Sequence, residues 1–445
     1  MTTWTDATLT TWGRSRFART ATTAPSDEAG LCEAVRATHA RGVITYGGGR
    51  CYGDAALDGG GQTILTSALN RIQSFNPQIR EVVCEAGVDF AKLLDRFLPE
   101  GFCFPLSAAT ARVTVGGAFA NDIHSKNHHR DGSFGDHVVW IDLMLANGEL
   151  VRASRDENAD IFHASLGGVG LTGIIMRVCF RLMPIPSRAV DARYLSIPDI
   201  DAMIDTIEAS RDTAGFVFGW VDAMARGKDM GRGILELGNL APNDADIASP
   251  PATKHIRFAP PSFLLHPAIL RRITDRRFRR LPAAGSDVRM HLRPFFFPAD
   301  SIVGFNRVYG RRGFYSIHCG FPPESQRAGI RAVMEALTAA CAGSFAAVMK
   351  PMRGPGAGLL SFPLEGMVYA VDLPRRAGIE ELHKQIERIT LDHGGRLYLA
   401  KDALMSAESF AAMFPRLGEF REILARIDPD GRFQSDMGRR LGLHP

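Results

Sequence analysis

The amino-acid sequence predicts an α+β protein with two domains. A chain of 445 residues is longer than one ordinary hydrophobic core can organise, so two domains are expected. Residues 27–188 alternate apolar patterns of helical and of strand period. The middle third instead combines strand-like runs and amphipathic helices around a loop rich in Pro, Ala and Asp, which indicates a separate α+β substrate domain.

Apolar periodicity and turn signals predict the elements of the N-terminal part. Helices are expected where apolar residues recur at helical spacing, and strands where short apolar runs end at turn residues. Asn147-Gly148 is a strong hairpin signal between two such runs. The predicted helices cover residues 27–39, 90–97 and 160–166, and the predicted strands cover 42–46, 81–85, 138–145, 150–153 and 174–182.

The same signals continue through the rest of the chain. Residues 242–261 read as a loop, and Lys401 is expected to end a strand that starts after Gly394-Gly395. No internal repeat and no low-complexity tract interrupts the pattern. The predicted strands cover residues 216–221, 314–319 and 396–400, and the predicted helices cover 326–341, 382–393, 407–413 and 417–427.

Composition limits the class of protein. The chain is 45% hydrophobic and 22% charged, as expected of a soluble globular protein, and no apolar run is long enough for a membrane helix. Its net charge of +4 is too small to indicate a nucleic-acid binder. The N-terminus shows no secretory signal, and seven scattered cysteines indicate reduced thiols. The expected location is the cytoplasm, with peripheral contact at the inner face of the plasma membrane.

Basic charge is concentrated in residues 270–281, LRRITDRRFRRL, which contain six arginines. One interpretation is the solvated face of a helix. The other is a patch for phosphates or for an anionic membrane surface, favoured by the apolar residues just upstream, Phe263, Leu264, Leu265 and Ile269.

Two glycine-rich segments indicate a large polar ligand, and together they suggest a flavin enzyme. Residues 47–54, GGGRCYGD, follow a predicted strand, and successive glycines can aim N–H groups at an anion. Arg50 could serve a phosphate and Asp54 a ribose hydroxyl; the alternative is a plain tight turn. Residues 105–135 are rich in small and polar residues and poor in bulky apolar ones, so backbone there is expected to approach a ligand closely.

Residues 168–173, GVGLTG, match the dinucleotide fingerprint G-x-G-x-x-G. The fingerprint requires a strand before it and a helix after it, whereas here a predicted helix precedes and a strand follows. We therefore reject a Rossmann site, although the glycines still allow backbone to approach a ligand. No P-loop and no G-x-S-x-G elbow occurs, so NTPase and hydrolase interpretations have no support.

Candidate catalytic groups lie in two places. His124 and Lys126, flanked by Asp122 and Ser125, resemble active-site groups on a loop, since His exchanges protons near neutral pH. Lys401 could stabilise an anionic reduced flavin. The alternatives are a structural histidine and a surface lysine. The histidine spacing in this segment fits no zinc pattern, so no metal is expected.

Five motifs together resemble the decaprenylphosphoryl-β-D-ribose 2′-oxidase family, within the vanillyl-alcohol-oxidase-like (PCMH-type) FAD-binding superfamily. They are GGGRCYGD, TVGGAFANDIHSKNHHRDGSFGDHV, LGGVGLTGIIMR, AKD at 400–402 and the tail DPDGRFQSDMGRRL. The similarity runs from Trp12 nearly to the end of the chain. The segment around His124 and the tail are specific to the family, whereas the Gly-Gly pieces fit any member of the superfamily.

The resemblance implies a fold and a set of site residues. An FAD domain would comprise residues 1–188 and 395–445, with an antiparallel-sheet α+β substrate domain, 189–394, inserted between them. His124, Lys126 and Lys401 would be catalytic, and Lys126, Trp220, His318, Lys350 and Ala370 would contact the substrate. The implied FAD-binding residues are Gly47, Gly48, Gly49, Arg50, Cys51, Tyr52, Gly53, Asp54, Pro105, Ala109, Thr110, Val113, Gly116, Gly117, Ala118, Asn121, Asp122, His124, Ser125, Asn127, Gly170, Gly173, Ile174, Tyr398 and Lys401.

The implied reaction oxidises the ribose 2′-hydroxyl of a polyprenyl-phosphoryl ribose to a 2′-keto sugar. Hydride would pass to flavin N5, a base would take the hydroxyl proton, and an NADPH-dependent keto-reductase partner would complete epimerisation to the arabinose donor. Family members from mycobacteria typically carry Cys at the position of Ala370 and Gln at that of His318. Those two differences concern the exact substrate more than the chemistry.

FAD is expected to be non-covalent, because Cys51-Tyr52 occupies the region where many superfamily members carry a flavin-linked His. A cysteinyl link at Cys51 is the alternative. A second enzyme hypothesis is an alditol or aldonolactone oxidase acting on a free sugar, although the covalent-flavin His and the His-Trp-x-Lys motif usual there are absent. A non-enzyme hypothesis is a nucleotide-binding scaffold. The electron acceptor, the prenyl length, the oligomeric state and the identity of the base stay open.

Overall fold

The computed structural model describes residues 2–106, 108–249, 252–282 and 285–444. Three main sheets of four, five and eight strands organise this part of the chain. Helices cover the sheets, so the predicted α+β class is confirmed. Ser107 of the predicted ligand segment and residues 250–251 of the predicted loop lie outside the described residues.

The N-terminal part contains the four- and five-stranded sheets. Nearly every predicted element forms here; α2, for instance, occupies the predicted residues because Asp89 caps it and Leu93, Leu94 and Phe97 face the core. The strands are β1 (Thr5–Thr10), β2 (Phe17–Thr23), β3 (Val43–Tyr46), β4 (Gln62–Leu65), β5 (Ile72–Asn76), β6 (Glu81–Glu85), β7 (Phe102–Cys103), β8 (Val138–Met144), β9 (Leu150–Ser154), β10 (Ile174–Arg181) and β11 (Met183–Pro184). The helices are α1 (Glu28–Arg36), α2 (Phe90–Phe97), α3 (Val115–Ala120), α4 (His128–Asp131), α5 (Phe134–His137) and α6 (Ala159–Ser165).

Each of the two sheets adjoins a glycine-rich turn: one turn follows β3 and the other, residues 168–173, precedes β10. The first has the order β1-β2-β4-β3, with β2, β4 and β3 parallel, and β3 runs directly into the turn that starts at Gly47. The second is antiparallel, in the order β5-β6-β10-β8-β9. Its β8–β9 hairpin turns at Asn147-Gly148 as predicted, with Gly148 at φ 82°.

The middle of the chain builds the eight-stranded antiparallel sheet, in the order β16-β12-β14-β13-β19-β20-β18-β21. Its strands before the last are β12 (Ala189–Ile197), β13 (Phe216–Val221), β14 (Gly233–Leu240), β16 (Ser286–His291), β18 (Phe314–Phe321), β19 (Ala347–Met352) and β20 (Gly366–Pro374), and the short β15 (Lys254–His255) and β17 (Ile302–Val303) pair separately. The helices are α7 (Ile200–Ser210), α8 (Pro267–Phe278), α9 (Leu292–Phe296), α10 (Gln326–Ala339) and α11 (Ile379–Asp392).

The C-terminal segment corrects one prediction. The predicted strand 396–400 is wrong beyond its second residue: β21 covers only Arg396–Leu397, and a turn follows in which Lys401 N–H donates to the Tyr398 carbonyl. Lys401 therefore lies in a turn and does not end a strand. The remaining helices are α12 (Ala407–Met413), α13 (Leu417–Ile427) and α14 (Asp436–Leu441).

The tail returns to the N-terminal part. Phe433 packs with Leu31, Val43 and Ile64 in a small core, and its backbone bridges to Val43. The eight-stranded sheet draws all but β21 from residues 189–374. The division into domains at 188 and 394 stays a prediction. Among the described helices, none is both long and apolar enough to cross a bilayer.

Candidate functional site

A large cavity lies between the glycine-rich turns and one face of the eight-stranded sheet. Three parts of the chain line it: the N-terminal part, the sheet face, and the turn at 398–401. Predicted residues on its wall are Gly47, Gly48, Gly49, Arg50, Cys51, Tyr52, Ala109, Thr110, Val113, Gly116, Gly117, Asn121, His124, Ser125, Lys126, Gly170, Gly173, His318, Lys350, Ala370, Tyr398 and Lys401. Predicted residues that do not line it are Gly53, Asp54, Pro105, Ala118, Asp122, Asn127, Ile174 and Trp220.

The turn after β3 forms a cradle of backbone N–H groups. Gly49 has φ 64°, a conformation that favours glycine. A Cβ on Gly48 would lie 2.4 Å from the Arg112 carbonyl oxygen, so the glycine turn is in contact with segment 105–135. Within the described ranges, no acceptor binds the N–H groups of Gly48, Gly49 or Arg50. Such a row of free donors is a common anion site.

Polar side chains surround that cradle. The Arg50 guanidinium lies 5.0 Å from the Trp12 ring centroid, and its buried Nε has no partner among the described residues. Burial lowers the Arg50 pKa. The Cys51 thiol lies 3.6 Å from Asn121 Oδ1, and burial raises its pKa to about 11 although the charge of Lys401 opposes this. The thiol is therefore protonated near neutral pH.

Asp54 is engaged inside the protein. Its carboxylate accepts two hydrogen bonds from Arg440, at 2.7 and 2.9 Å, and Arg440 also donates to Asp402 at 2.9 Å. Gly53 approaches the same turn so closely that a Cβ would lie 1.7 Å from the Asp402 carbonyl oxygen. Asp54 thus stabilises the cradle on the side away from the cavity and does not line the cavity, and its suggested contact with a ribose hydroxyl stays a prediction.

Segment 105–135 provides the opposite wall through α3. Thr114 caps this helix by accepting from Gly117 N–H, and Gly116 packs against Ala86. Ala118 faces the hydrophobic core and Asn127 is buried, donating to the Pro105 carbonyl at 2.6 Å. These contacts hold the wall in shape.

Asp122 connects two segments beneath that wall. Its carboxylate accepts from Ser133 Oγ and Ser361 Oγ, both at 2.6 Å, and from Gly135 N–H at 3.1 Å. Burial raises the Asp122 pKa to about 6 even though these bonds favour the charged form.

The turn 168–173 reaches the cavity without a Rossmann helix. It lies between α6 and β10 as predicted, with Gly170 at φ 82° and Gly173 at φ 152° on the cavity wall. The next residue, Ile174, points the other way into the small core around Phe433.

Lys126 is held by a buried ion pair. Its ammonium contacts the Glu236 carboxylate, donates to the Phe295 carbonyl at 2.8 Å and lies 4.0 Å from the Phe295 ring centroid. Its side chain is only 6% exposed, so Glu236 supplies the negative charge that a buried ammonium needs.

Two neutral imidazoles line the cavity. His124 lies 4.9 Å from the Tyr398 ring and 5.1 Å from the Phe362 ring, and His318 lies 6.1 Å from Tyr398. The Nδ1 atoms of both histidines are buried without a partner among the described residues. Burial, with the positive charges of Lys350 and Lys401, lowers both pKa values well below 6.5.

Two lysines stand close to those imidazoles. Burial lowers the pKa of Lys350 to about 7, helped by the charge of Lys401, and lowers that of Lys401 to about 8. Lys401 Nζ lies 3.6 Å from the Tyr52 ring centroid. In the described part of the chain neither ammonium has a hydrogen-bond acceptor or an ion-pair partner, so the two are poised for an anionic or hydroxyl-rich ligand.

The sheet face fixes the relative positions of the substrate-side residues. Across the strands, Trp220 stands beside Val348, Val348 beside Ala370, and Ala370 beside His318. Trp220 itself turns away: its indole N–H donates to the Phe345 carbonyl and the Arg277 guanidinium covers its ring at 4.3 Å. Ala370 leaves room next to His318.

Sequence reasoning missed several wall residues. Trp12, Phe218, Phe296, Phe305 and Asp372 line the cavity but belong to no local motif. The Asp372 carboxylate accepts from Ser316 Oγ at 2.6 Å and from Tyr309 OH at 2.8 Å. Alternation along β20 would have shown that Asp372 shares a face with Ala370, but not which face meets the cavity.

The residues present fit FAD. Free backbone N–H groups next to the unpartnered Arg50 Nε suit a pyrophosphate. Lys350 and Lys401, which have no ion-pair partner among the described residues, line the same cavity. Small residues on both glycine-rich turns let the backbone approach a long ligand. The glycine cradle, α3 and the 168–173 turn would hold the cofactor, and the sheet face would meet the substrate.

Comparison with known proteins agrees with this fit. A family model described as an FAD binding domain matches residues 20–154, and one described as D-arabinono-1,4-lactone oxidase matches residues 367–441. L-gulonolactone oxidase of Mus musculus is 29% identical over 142 residues, 32% of each chain. An uncharacterized protein of Streptomyces coelicolor is 30% identical over 368 residues, 79% of this chain and 99% of its own.

A further relative matches almost end to end. The decaprenylphosphoryl-β-D-ribose oxidase of Mycolicibacterium smegmatis is 36% identical over 451 residues, covering 97% of this chain and 96% of that protein. The cofactor is FAD, and the reaction class is FAD-dependent oxidation of a sugar. This chain is an FAD-dependent oxidoreductase that belongs to the decaprenylphosphoryl-β-D-ribose oxidase family.

Proposed function

We propose that this protein oxidises the ribose 2′-hydroxyl of a polyprenyl-phosphoryl-β-D-ribose to the 2′-keto sugar. The observation that carries the proposal is the group of two unpaired lysines, Lys350 and Lys401, and two neutral imidazoles, His124 and His318, around one cavity. Cations favour a phosphorylated substrate, and neutral imidazoles can accept protons or hydrogen bonds. The printed name of the M. smegmatis relative supports the same substrate class.

His124 acts as the proton acceptor. FAD, when bound, takes up the hydride from the carbon that carries the hydroxyl. Burial and the nearby lysines keep His124 unprotonated near pH 7, so a ring nitrogen is free to accept the hydroxyl proton, while the same low pKa makes the imidazole a weak base. The Tyr398 and Phe362 rings hold its imidazole in place.

The three cavity lysines have different electrostatic roles. Lys126 is held in place by its ion pair with Glu236 and donates a hydrogen bond to the sugar or phosphate oxygens. Lys350 lies on the sheet face and is partly charged near neutral pH, because its pKa is lowered to about 7; a substrate phosphate would favour its charged form. Lys401 lies in the turn that Arg440 ties to the glycine cradle, so its charge serves the cofactor end.

A second candidate function is oxidation of a free aldonolactone. The match of residues 367–441 to the D-arabinono-1,4-lactone oxidase model favours it, because that segment contains Ala370, Tyr398 and Lys401. The candidate concerns the substrate alone, since the cavity wall and the cofactor are the same in both cases.

The lipid-linked substrate implies two partners. A keto product needs a reductase that uses NADPH to return the 2′-hydroxyl with opposite configuration, so a keto-reductase is the proposed partner enzyme. A polyprenyl chain stays in a bilayer, so the protein is proposed to work at the inner face of the plasma membrane, in contact with anionic lipid.

Product analysis tests the proposed function. The holoenzyme is incubated with farnesyl-phosphoryl-β-D-ribose and, in parallel, with an aldonolactone. We expect a product two mass units lighter than the prenyl-phosphoryl ribose, which borodeuteride labels at C2′. Conversion of the lactone alone would contradict the proposed substrate and favour the second candidate. His124→Gln serves as the control, since it should form little product while retaining FAD.

A further inference from the structure

Exposed apolar side chains are concentrated in one region of the sequence. Seven large apolar side chains are exposed among the described residues, and five of them fall between residues 258 and 303. These five are Phe258 (85% exposed), Phe263, Leu264, Ile273 and Val303. Soluble proteins rarely expose contiguous apolar surface without a partner for it.

The segments that carry these side chains are held together. β15 pairs with β17, and Ile256 N–H donates to the Val303 carbonyl at 2.9 Å. The Arg307 guanidinium donates to the Ile256 and Arg257 carbonyls at 2.9 and 3.1 Å. Phe258 and Val303 therefore belong to one ordered surface.

Helix α8 adds positive charge next to that surface, because Leu265, just before the helix, lies so close to Gly310 that a Cβ on Gly310 would be 3.3 Å from Leu265 Cδ1. Leu270 and Thr274 are its buried residues, while Ile273 and Arg276 lie one turn apart on another face and Arg280 follows in the turn after the helix. Arg271 and Arg272 line an open groove beside His266. Asp275, the acidic residue of this helix, is already bound to Arg232 and Arg279.

Four of the six arginines in residues 270–281 have a guanidinium group without an ion-pair, hydrogen-bond or aromatic-ring partner among the described residues. Within the described ranges, Arg271, Arg272, Arg276 and Arg280 form no ion pair, whereas Arg279 pairs with Asp275. Four uncompensated arginines next to exposed Phe and Leu side chains match the chemistry of an anionic bilayer: apolar side chains enter the acyl boundary and guanidinium groups meet phosphate headgroups.

A part of the cavity wall lies close in sequence to this surface. Phe305 lines the cavity only two residues after the exposed Val303, and Asn306 donates to the carbonyl of Trp12, another wall residue. A protein seated on a bilayer by this surface would thus present its cavity near the lipid. That orientation suits a substrate whose prenyl tail stays in the bilayer, and this last step rests on the proposed function.

We propose that the surface formed by residues 254–280 and 302–303, here called the docking surface, binds an anionic phospholipid bilayer and orients the cavity rim toward it. The partner is the bilayer itself, and the binding requires both the phenylalanines and the unpaired arginines.

Vesicle flotation of the holoenzyme tests this proposal. Vesicles of phosphatidylcholine alone are compared with vesicles containing one-third phosphatidylglycerol, at low and high salt. The variants are Phe258→Ser with Phe263→Ser, and Arg272→Gln with Arg276→Gln and Arg280→Gln. The control is Phe17→Ser with Arg19→Gln, since both residues are exposed on β2, far in sequence from the docking surface.

The wild-type protein should float with the anionic vesicles at low salt and much less with neutral ones. The triple Arg variant should lose on the order of 100-fold in partitioning, because each arginine near an anionic surface contributes about fivefold. The control should stay within about twofold of wild type. Equal binding by all variants, or no binding of the wild type to anionic vesicles, would overturn the proposal.

Turnover of soluble farnesyl-phosphoryl ribose separates this proposal from the proposed function. Both docking-surface variants should oxidise that short substrate at the wild-type rate. A holoenzyme that floats but oxidises no prenyl-phosphoryl ribose would refute the proposed substrate and leave the docking surface standing. A holoenzyme that oxidises prenyl-phosphoryl ribose but does not float would refute the docking surface and leave the proposed substrate standing.

Discussion

The Arg440 guanidinium on α14 forms a two-point ion pair with the Asp54 carboxylate in the first glycine-rich turn, with distances of 2.7 and 2.9 Å. The same guanidinium donates to Asp402, next to Lys401. One side chain near the end of the chain therefore fixes the distance between the anion cradle and the lysine turn. The Asp54 and Asp402 side chains are 8% and 2% exposed, so the network is shielded from water.

Arg440→Gln should weaken both folding and cofactor retention. Removing one partner of a buried ion pair leaves uncompensated charge and costs about 3–5 kcal/mol. We expect a lower denaturant midpoint and an increased dissociation constant for FAD, measured by flavin fluorescence. Arg416→Gln is the matched control, because its pair with Glu419 is about half exposed and should contribute less than about 1 kcal/mol. Equal effects of the two substitutions would contradict the role of Arg440.

Lys350→Met should stabilise the flavin-free protein while impairing turnover. The pKa of Lys350 is lowered to about 7 in the folded state, so the unfolded state binds its proton more tightly. This lysine therefore destabilises the fold below its unfolded pKa, and the penalty grows as pH falls until about pH 7. The gain from Met should be larger at pH 6 than at pH 9.5, by up to about 3 kcal/mol.

Denaturant unfolding at the two pH values measures that gain. Lys384→Met is the control, since this lysine is exposed on α11 and its side chain is 68% accessible. A gain of the same size at both pH values would show that the pKa of Lys350 is not lowered to about 7 in the folded protein. Bound FAD should reduce the gain if Lys350 faces the cofactor and substrate.

FAD should leave the protein on acid precipitation. A thiol whose pKa is raised to about 11 is a poor nucleophile near neutral pH, so Cys51 should not form a cysteinyl link. We expect all flavin fluorescence in the supernatant, and Cys51→Ser should retain the yellow holoenzyme. Flavin that stays with the precipitated chain of the wild type but not of Cys51→Ser would establish the covalent alternative.

The two cavity histidines should differ in how they respond to glutamine. His318 is proposed to hydrogen-bond a substrate hydroxyl, so His318→Gln should keep the flavin-reduction rate within about threefold. His124 is proposed to accept a proton, which Gln cannot do, so His124→Gln should slow reduction by about 10²–10⁴-fold. Stopped-flow reduction of the holoenzyme measures both. Equal slowing by the two substitutions would contradict the distinction between their roles, and stronger slowing by His318→Gln would assign the proton acceptor to His318 on β18.

Wild-type flavin reduction should not show an acid limb at the ordinary histidine pKa. Both imidazoles have pKa values well below 6.5, because burial and the neighbouring lysines disfavour their charged forms. Reduction at saturating substrate should therefore show no loss as pH falls from about 8 to 6, while protonation of Lys350 and Lys401, whose pKa values are about 7 and 8, should strengthen substrate binding over the same range. A loss of activity centred on pH 6.5 would contradict this electrostatic account.

Much of the scaffold could be predicted because local chemistry determined it. The turn at Gly47–Gly49 and the helix at Phe90–Phe97 follow from backbone conformations and apolar spacing that act over a few residues. The strand predicted over 396–400 was too long, since a short apolar run does not distinguish a strand from a buried turn.

The site was harder to predict because its contacts join distant residues. Asp54 has the chemistry of a ribose acceptor, but its partner Arg440 lies 386 residues away and no local pattern shows the pair. Trp220 was likewise expected to contact the substrate, but the Arg277 guanidinium covers its ring and its indole N–H donates to the Phe345 carbonyl. The family resemblance supplied Lys350 on the sheet face, which periodicity alone would leave among many surface candidates.

Anaerobic bleaching of the flavin absorbance tests the central claim most directly. The holoenzyme is mixed with farnesyl-phosphoryl-β-D-ribose and, separately, with free ribose, xylitol and an aldonolactone. The account predicts rapid bleaching by the prenyl-phosphoryl ribose and none by the other compounds, because the charges of Lys126, Lys350 and Lys401 favour a phosphorylated sugar. Bleaching by the lactone or the polyol alone, with the prenyl-phosphoryl ribose inert, would contradict it.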